Sequence, residues 1–378
     1  MRYIGLVALT TLLLSAPTIG EAQYVATEII DATGDGAGSL LEGPPRAVLD
    51  SQGNVFVSGY ESDNVFKINL SGAIEEVIGF AGDGMGNPLE GAYGLAVDAE
   101  DNLYVAGWFS HNVFKVEPNG AITEIVDATG DGAGNLLEEP LNVAVDAVGN
   151  VYVTGAVTHN AFRIGPGGEI TEIIDETGDG AGNPLTITAG LAVDGAGNVF
   201  VTGWLSDNCF KIEPGGSITE IIDGGGDGAG NFLEKVRYVA TDTAGNAYVT
   251  GAETDNVFKV EPGGAITEIL DDTGDGAGNT MRDPFQVAVD GVGNVFVTGA
   301  STDNAFKIEV GGTISEIIDV AGDGAGNALD GAVGIVLTDT GRVYVTGIYS
   351  DNVFKLEAMI FSDGFESGDT SAWSATVP

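Results

Sequence analysis

Seven aspartates that recur in identical surroundings are the first residues of this chain whose spacing suggests shared chemistry. Each stands in a Gly-Asp-Gly triplet, and successive aspartates are 48 residues apart. Loops such as residues 127–135 are rich in oxygen donors and glycine, so they could hold Ca²⁺, which takes about six to eight oxygen ligands. The spacing is neither that of an EF-hand nor that of an RTX nonapeptide. The alternative is that glycine supplies a positive φ and aspartate caps its own turn. The candidate metal ligands are Asp35, Asp83, Asp131, Asp179, Asp227, Asp275 and Asp323.

Two histidines form a second candidate group. His111 and His159 occupy the position that aspartate holds in the other five repeats. Their ring nitrogens could act as a general base or as metal ligands, and the alternative is that they are exposed turn residues. The single cysteine, Cys209, replaces Val or Ala in its repeat and is predicted to be a small buried hydrophobe, not a nucleophile.

Positions that differ between the repeats are where one specific binding site would have to lie. Two such positions carry aromatic and basic residues, one of them including Arg46, Tyr93 and Arg237. Aromatic platforms with a few polar groups suit sugars, peptides or flat apolar ligands, whereas the alternative is that the same rings pack repeat against repeat. The candidate ligand-binding residues are Tyr60, Trp108, Phe109, Trp204, Tyr238, Phe285 and Tyr349.

The elements that must position these residues are short β-strands. One period contains four runs rich in β-branched and aromatic residues, at 122–126, 142–146, 150–154 and 160–164, and turn residues bound each run. Four strands in a repeat of this length predict an all-β fold, a seven-bladed β-propeller of four-stranded antiparallel blades. We name the strands of a blade a to d from the axis outward. The run at 26–30 supplies the missing outer strand of the last blade, beside 352–357, so that the ring has no free edge.

Strand direction also predicts which loops share a face. Because antiparallel strands alternate in direction, the d-to-a loops and the b-to-c turns emerge on the same side of the propeller. The Gly-Asp-Gly loops, the two histidines and the variable aromatic positions should therefore lie on one face.

The repeats resemble a known class of propeller repeat. Residues 94–98 with 102–106, and residues 192–203, are similar to NHL repeats and to the related SBBP repeats of bacteria, and the likeness extends over residues 25–357. The resemblance implies a propeller used in scaffolds, binding proteins and a few enzymes. Streptogramin lyases are propellers of similar sequence style that use His and Glu with magnesium. The NHL motif Asn-His-Arg-Ile is replaced here by Ser-Asp-Asn-Val-Phe-Lys, so a binding mode that depends on that basic motif is not implied.

Composition and the chain ends limit location and partners. The chain has 56 acidic and 13 basic residues and a net charge of -43, which repels nucleic acid and anionic lipid. Residues 1–22 read as a signal peptide, and no later stretch reaches the roughly 20 apolar residues that span a membrane. Residues 23–357 form the predicted propeller. Residues 358–378 resemble the Phe-Glu-Ser-Gly…Trp tail of exported bacterial proteins, which is either a sorting signal or the remnant of a lost domain.

These observations predict a secreted or cell-surface monomer that binds a protein, peptide or carbohydrate ligand through the Gly-Asp-Gly face. The alternative is a metal-assisted lyase or lactonase of the streptogramin lyase or gluconolactonase style. Binding is favoured because the acidic residues and histidines repeat around a ring and do not converge in sequence.

Overall fold

A computed structural model describes residues 24–359 and contains seven four-stranded antiparallel sheets arranged as a ring. The chain is therefore an all-β, seven-bladed β-propeller, as predicted. The signal peptide predicted for residues 1–22 and most of the C-terminal tail, residues 360–378, lie outside the described residues. In chain order the strands are β1 (Tyr24–Ile30), β2 (Ala47–Leu49), β3 (Val55–Gly59), β4 (Asn64–Ile68), β5 (Ile74–Ile78), β6 (Ala92–Val97), β7 (Leu103–Gly107), β8 (Asn112–Val116), β9 (Ile122–Val126), β10 (Pro140–Val145), β11 (Val151–Gly155), β12 (Asn160–Ile164), β13 (Ile170–Ile174), β14 (Thr188–Val193), β15 (Val199–Gly203), β16 (Asn208–Ile212), β17 (Ile218–Ile222), β18 (Val236–Thr241), β19 (Ala247–Gly251), β20 (Asn256–Val260), β21 (Ile266–Leu270), β22 (Pro284–Val289), β23 (Val295–Gly299), β24 (Asn304–Ile308), β25 (Ile314–Ile318), β26 (Ala332–Leu337), β27 (Val343–Gly347) and β28 (Asn352–Ala358).

The core is divided among the contacts between neighbouring blades. Blade 1 is β2 to β5, and each following set of four strands forms the next blade. Every residue of strand b is buried in every blade, because both sides of each sheet are covered. A phenylalanine of strand c, such as Phe114, is fully buried in each blade and packs with residues of the preceding blade, such as Phe56. Each such ring contributes about 1.5–3 kcal/mol by leaving water.

The ring is closed by the N-terminal strand, which confirms the prediction. β1 pairs antiparallel with β28 and forms the outer strand of blade 7. The Asn352 side chain donates a 3.0 Å hydrogen bond to Glu28, and the equivalent bond within blade 2 joins Asn112 to Glu124 at 2.9 Å. The same side-chain pair therefore fixes the position of strand d in blade 7 although its two members come from opposite ends of the chain.

The strand-d glutamates share one electrostatic setting. Burial raises the pKa of each carboxyl above its ordinary value, and the hydrogen bond from the strand-c asparagine opposes the shift. The six that behave in this way are Glu28, Glu124, Glu172, Glu220, Glu268 and Glu316.

The Gly-Asp-Gly loops carry the chain from strand d of one blade to strand a of the next. In the first of them, Gly34 has φ of 59° and a side chain there would collide with the Ser39 backbone oxygen and the Phe66 ring. Glycine is thus required because the loop turns tightly while it lies against the buried strand-c phenylalanine of the next blade. Among residues 24–359 no helix is long and apolar enough to cross a membrane.

Candidate functional site

The Gly-Asp-Gly aspartates bind their own loops. The carboxylate of Asp131 accepts hydrogen bonds of 2.8 Å from the Ala133 backbone and from the Asn135 side chain. Hydrogen bonds of this kind hold the pKa of most of these carboxyls below its ordinary value; the affected residues are Asp35, Asp83, Asp131, Asp179, Asp227 and Asp323. The geometry is that of a turn cap, the second of the two interpretations. Within the described part of the chain, no three His, Cys, Asp or Glu side chains are grouped so that they could hold a metal ion. Calcium binding by these loops stays a prediction.

The b-to-c turns are joined to the following blade by one hydrogen bond each, which we call the inter-blade bond. In every case a side chain of the turn accepts the backbone N–H of a residue 28 positions later, or of Gly43 where blade 7 meets blade 1. The lengths are 2.7 to 2.9 Å. These bonds place the turns and the d-to-a loops on one face, as predicted. The pairs are Asp63 with Gly91, His111 with Glu139, His159 with Ile187, Asp207 with Lys235, Asp255 with Asp283, Asp303 with Gly331 and Asp351 with Gly43.

The two histidines do the same structural task as the aspartates. His111 and His159 each accept the N–H through Nδ1 at 2.9 Å, and Nδ1 of His159 also lies 3.1 Å from the Ala156 carbonyl oxygen. Both residues have φ near 55°, a left-handed conformation in which Asp, Asn and His are enriched. Only Nε2 of each ring is left for other chemistry. A general-base or metal-ligand role for either histidine stays a prediction.

Four side chains from different blades meet at the axis, and we call them the axial plug. They stand at one repeat position, where three other blades have glycine: Gly94, Gly190 and Gly334. At each of these three glycines, a Cβ atom would crowd atoms of a neighbouring strand or of the next blade. The axial plug consists of Arg46, Asn142, Tyr238 and Gln286.

Arg46 is the centre of the plug. It is only 4% exposed, yet it forms no ion pair with any described carboxylate. Its guanidinium donates hydrogen bonds of 3.2 Å to the Pro45 carbonyl oxygen, 3.4 Å to Asn142 and 3.5 Å to Gln286. It lies 4.7 Å from the centre of the Tyr238 ring and 5.4 Å from that of Tyr93. These cation–π contacts offset part of the cost of burying the charge.

A cavity of about 560 Å³ opens beside the plug, and we call it the axial cavity. Arg46 and Asn142 of the plug line it, and Trp108 and Trp204 line it from blades 2 and 4. Between them, blade 3 has Ala156 at the position equivalent to the two tryptophans. The small side chain on blade 3, between two tryptophans, leaves the space, and this volume is typical of small-ligand sites.

The wall on blades 1 and 2 is an aromatic group. Trp108 lies 5.1 Å from Tyr93, 5.4 Å from Tyr60 and 5.9 Å from Phe109, measured between ring centres. Tyr60 and Phe109 thus support Trp108 from outside the cavity. Of the predicted ligand-binding residues, Trp108, Trp204 and Phe285 line the cavity and Tyr238 belongs to the plug. Tyr349, 74% exposed, belongs to neither.

The wall on blades 4 to 6 combines rings with a second arginine. The guanidinium of Arg237 lies 4.5 Å from the Trp204 ring and 4.4 Å from the Phe285 ring. It also forms a 3.1 Å ion pair with Asp283. Burial lowers the pKa of Arg237, which the Asp283 charge opposes, and burial raises the pKa of Asp283.

Three hydrogen-bond donors at this cavity have no acceptor among the described residues. They are Nε of Arg46, Nε of Arg237 and the indole Nε1 of Trp108, and each of these atoms is buried. Buried polar atoms without partners are uncommon in proteins, so three on one cavity mark it as a place where water or a ligand supplies the acceptor.

Asn142 and Gln286 are site residues that sequence reasoning did not select. Arg46 was noticed at the same repeat position, and a comparison of that position across all blades would have found both.

Two further depressions, of about 600 and 670 Å³, lie on the opposite face between blades 3 and 4 and between blades 4 and 5. They use equivalent repeat positions, such as Pro214 and Pro262, so they result from the regular packing of blades. Cys209 is free and fully buried, as predicted.

Comparison with known proteins shows the fold alone. No family model and no curated protein sequence matches the chain. Virginiamycin B lyase from Staphylococcus aureus superposes with a TM-score of 0.69 at 14% identity, covering 89% of this chain and 100% of the lyase. A putative gluconolactonase gives 0.52 at 12% identity, with 89% and 93% covered. YCF48, solved bound to D1 peptide, gives 0.63 at 10% identity, with 93% and 100% covered. All three likenesses extend over most of the propeller.

Proposed function

We propose that this chain is a binding protein whose ligand enters the axial cavity on the Gly-Asp-Gly face. The observation that carries the proposal is that Ala156 stands between Trp108 and Trp204, whereas the alanines at the same repeat position of blades 5 and 6 do not have an aromatic ring on both sides. An identical ring at all positions would close the face, whereas two tryptophans flanking an alanine leave an aromatic-walled space. A peptide, part of a carbohydrate or another small molecule would fit a space of about 560 Å³.

The electrostatic setting supports a specific ligand over a general adhesive surface. The chain carries a net charge of -43, but the cavity brings Arg46 and Arg237 to one place. Unsatisfied donors and aromatic walls give orientation, since the ligand must supply acceptors opposite the donors. Residues 1–22 fit an export signal, so we place this binding outside the cytoplasm.

The test fills the cavity without touching the rest of the ring. The intrinsic fluorescence of the protein reports on occupancy, because Trp108 and Trp204 line the cavity and the third tryptophan, Trp373, is removed by Trp373→Phe. A panel of glucose and N-acetylglucosamine oligosaccharides, short peptides and neutral aromatic amides is titrated. We expect Ala156→Phe, which adds a ring on blade 3 between the two tryptophans, to abolish the response of any ligand found.

Ala300→Phe is the matched control, because Ala300 is the equivalent residue of blade 6 and does not line the cavity. It should leave binding unchanged. Trp108→Ala combined with Trp204→Ala should abolish binding while the melting curve stays cooperative. Undiminished binding by both the filled and the tryptophan-free variants, measured by calorimetry, would refute the assignment.

The alternative is a metal-assisted lyase or lactonase. It is favoured by one observation: His159 and Glu139, two residues able to move protons, line the same cavity. His159→Asp separates the two functions, since aspartate is the natural acceptor of the inter-blade bond in five blades and should preserve the fold. A bound ligand that is converted by the wild-type protein and only bound by this variant, as seen by mass spectrometry, would favour the enzyme.

A further inference from the structure

We propose that the axial cavity recognises a planar carboxylate attached to an aromatic or other flat apolar group, with Arg46 as its counter-ion; this rests on the proposed binding function. The starting observation is that Arg46 is nine-tenths buried, lacks a carboxylate partner among the described residues and has an unbonded Nε. A buried charge is normally paired, because removing it from water is costly. The cavity that this guanidinium lines is the place where the missing partner can stand.

The remaining contacts of Arg46 are weak substitutes for an anion. The guanidinium donates to the Pro45 carbonyl oxygen at 3.2 Å and to the amide oxygens of Asn142 and Gln286 at 3.4 and 3.5 Å, all longer than the 2.7–2.9 Å typical of charged pairs. Tyr238 and Phe285 face the guanidinium with their ring systems, at 4.7 and 5.4 Å. None of these groups carries a negative charge. A guanidinium presents its donors as a fork, and a carboxylate matches that fork with two oxygens.

The second arginine does not compete for this role. Arg237 has its own partner in Asp283 at 3.1 Å, so it adds little net charge to the cavity. Glu139 lines the cavity and is partly exposed, where water screens its charge. One unpaired positive charge is thus left beside the axis, which fits a ligand with one negative charge. The buried Nε atoms of Arg46 and Arg237 and the Nε1 atom of Trp108 are donors without an acceptor among the described residues.

The aromatic walls determine what the carboxylate must be attached to. Trp108 and Trp204 stand on either side of blade 3, and Phe285 adds a third ring. A flat apolar body lies against such walls at little conformational cost, while its carboxylate reaches the arginine. The acidic surface of the protein would slow the approach of anions in general, so affinity must come from these contacts and not from long-range attraction.

The test compares ligands that differ only in charge. Isothermal titration is performed with 2-naphthoate, its neutral analogue 2-naphthamide and the cationic 2-naphthylmethylamine. A second matched pair, N-acetylphenylalanine and N-acetylphenylalanine amide, represents the carboxylate of a peptide. In the wild-type protein we expect the carboxylate of one pair to bind at least about tenfold more tightly than its amide, as a charge-assisted pair requires. The pair that shows this preference identifies the source as a small aromatic acid or a peptide end.

Variants assign the preference to Arg46. Arg46→Gln should remove the carboxylate-over-amide preference, and Arg46→Lys, which keeps the charge but not the fork, should retain part of it. Arg163→Gln is the matched control, because Arg163 also has a buried, unbonded Nε but lies on the opposite face. It should leave the preference unchanged. The ratio measured on the unmodified protein already tests the inference if Arg46→Gln fails to fold.

The outcomes separate this inference from the proposed function. Equal binding of acid and amide, or tighter binding of the amine, would overturn the carboxylate while leaving a cavity that binds ligands. A preference for carboxylates that persists in Arg46→Gln and disappears in Arg163→Gln would also overturn it, by moving the site to the other face. If none of the aromatic compounds binds while an oligosaccharide still depends on Ala156, the binding function stands and this inference is wrong.

Discussion

The inter-blade bonds give the most quantitative prediction about this ring. Asp63 with Gly91 and Asp351 with Gly43 form equal bonds of 2.7 Å, and both glycines are buried. They differ in chain separation, which is 28 residues for the first and 308 for the second. Substitution by glycine removes the acceptor while accommodating the left-handed backbone. The orphaned N–H costs about 1–3 kcal/mol and the added freedom of glycine about 0.5–1 kcal/mol, so each variant should lose about 1.5–4 kcal/mol.

Asparagine is the matched control, because its side-chain oxygen can accept the same bond and it tolerates the left-handed conformation. We expect Asp63→Asn and Asp351→Asn to lose less than about 1 kcal/mol. Stability is measured by urea denaturation followed by far-UV circular dichroism, with an unchanged m-value as the condition for comparison. Hydrogen exchange of the Gly91 and Gly43 amides reports each bond directly.

The two positions should respond alike, because β1 paired with β28 already holds blade 7 closed. A loss at Asp351→Gly that far exceeds the loss at Asp63→Gly would show that the inter-blade bond, and not the outer strand, closes the ring. Glycine variants that melt like the wild type, with both amides still protected from exchange, would refute the bond itself.

The remaining predictions concern ring closure and acid. Deleting residues 23–31 exposes the edge of β28 and leaves Asn352 without Glu28, so the melting temperature should fall sharply. Glu28→Gln, which keeps a hydrogen-bond acceptor, should have little effect on the melting temperature. An unchanged melting temperature of the deletion variant would show that β1 does not close the ring. Stability should rise as the pH falls toward 4.5, because the strand-d glutamates have folded pKa values raised above that ordinary value and destabilise the fold as they ionise. It should fall again below pH 3.8, where the Gly-Asp-Gly carboxyls, whose folded pKa values are lowered, become protonated first in the unfolded chain. Melting curves in 1 M salt, which screens the net charge, should keep this maximum, and a steady decline from pH 7 downward would contradict it.

The fold was predictable because the repeat is exact. Four strand-like runs in each 48-residue period, with glycine at the turns, leave few architectures that bury both sides of every sheet. Even ring closure could be inferred, since residues 26–30 match the outer strand of other blades. What failed to follow from sequence was the task of His111 and His159, which appeared as candidate bases. Their Nδ1 atoms accept an inter-blade bond that is visible only once the neighbouring blade is in place.

Part of the candidate site could likewise be predicted from the sequence, and part of it could not. Sequence comparison among the blades identified Trp108, Trp204 and Phe285 as positions able to form one site, and it grouped Tyr349 with them. By itself the sequence determined the blades, their number and the face that carries the variable residues, because these depend on local periodicity. Only the tertiary structure decided that Arg46 reaches across the axis to residues of other blades, since closing the ring brings together side chains 96 and 240 residues apart. It also decided that Ala156 leaves a space, because a small residue becomes a cavity only between two large neighbours.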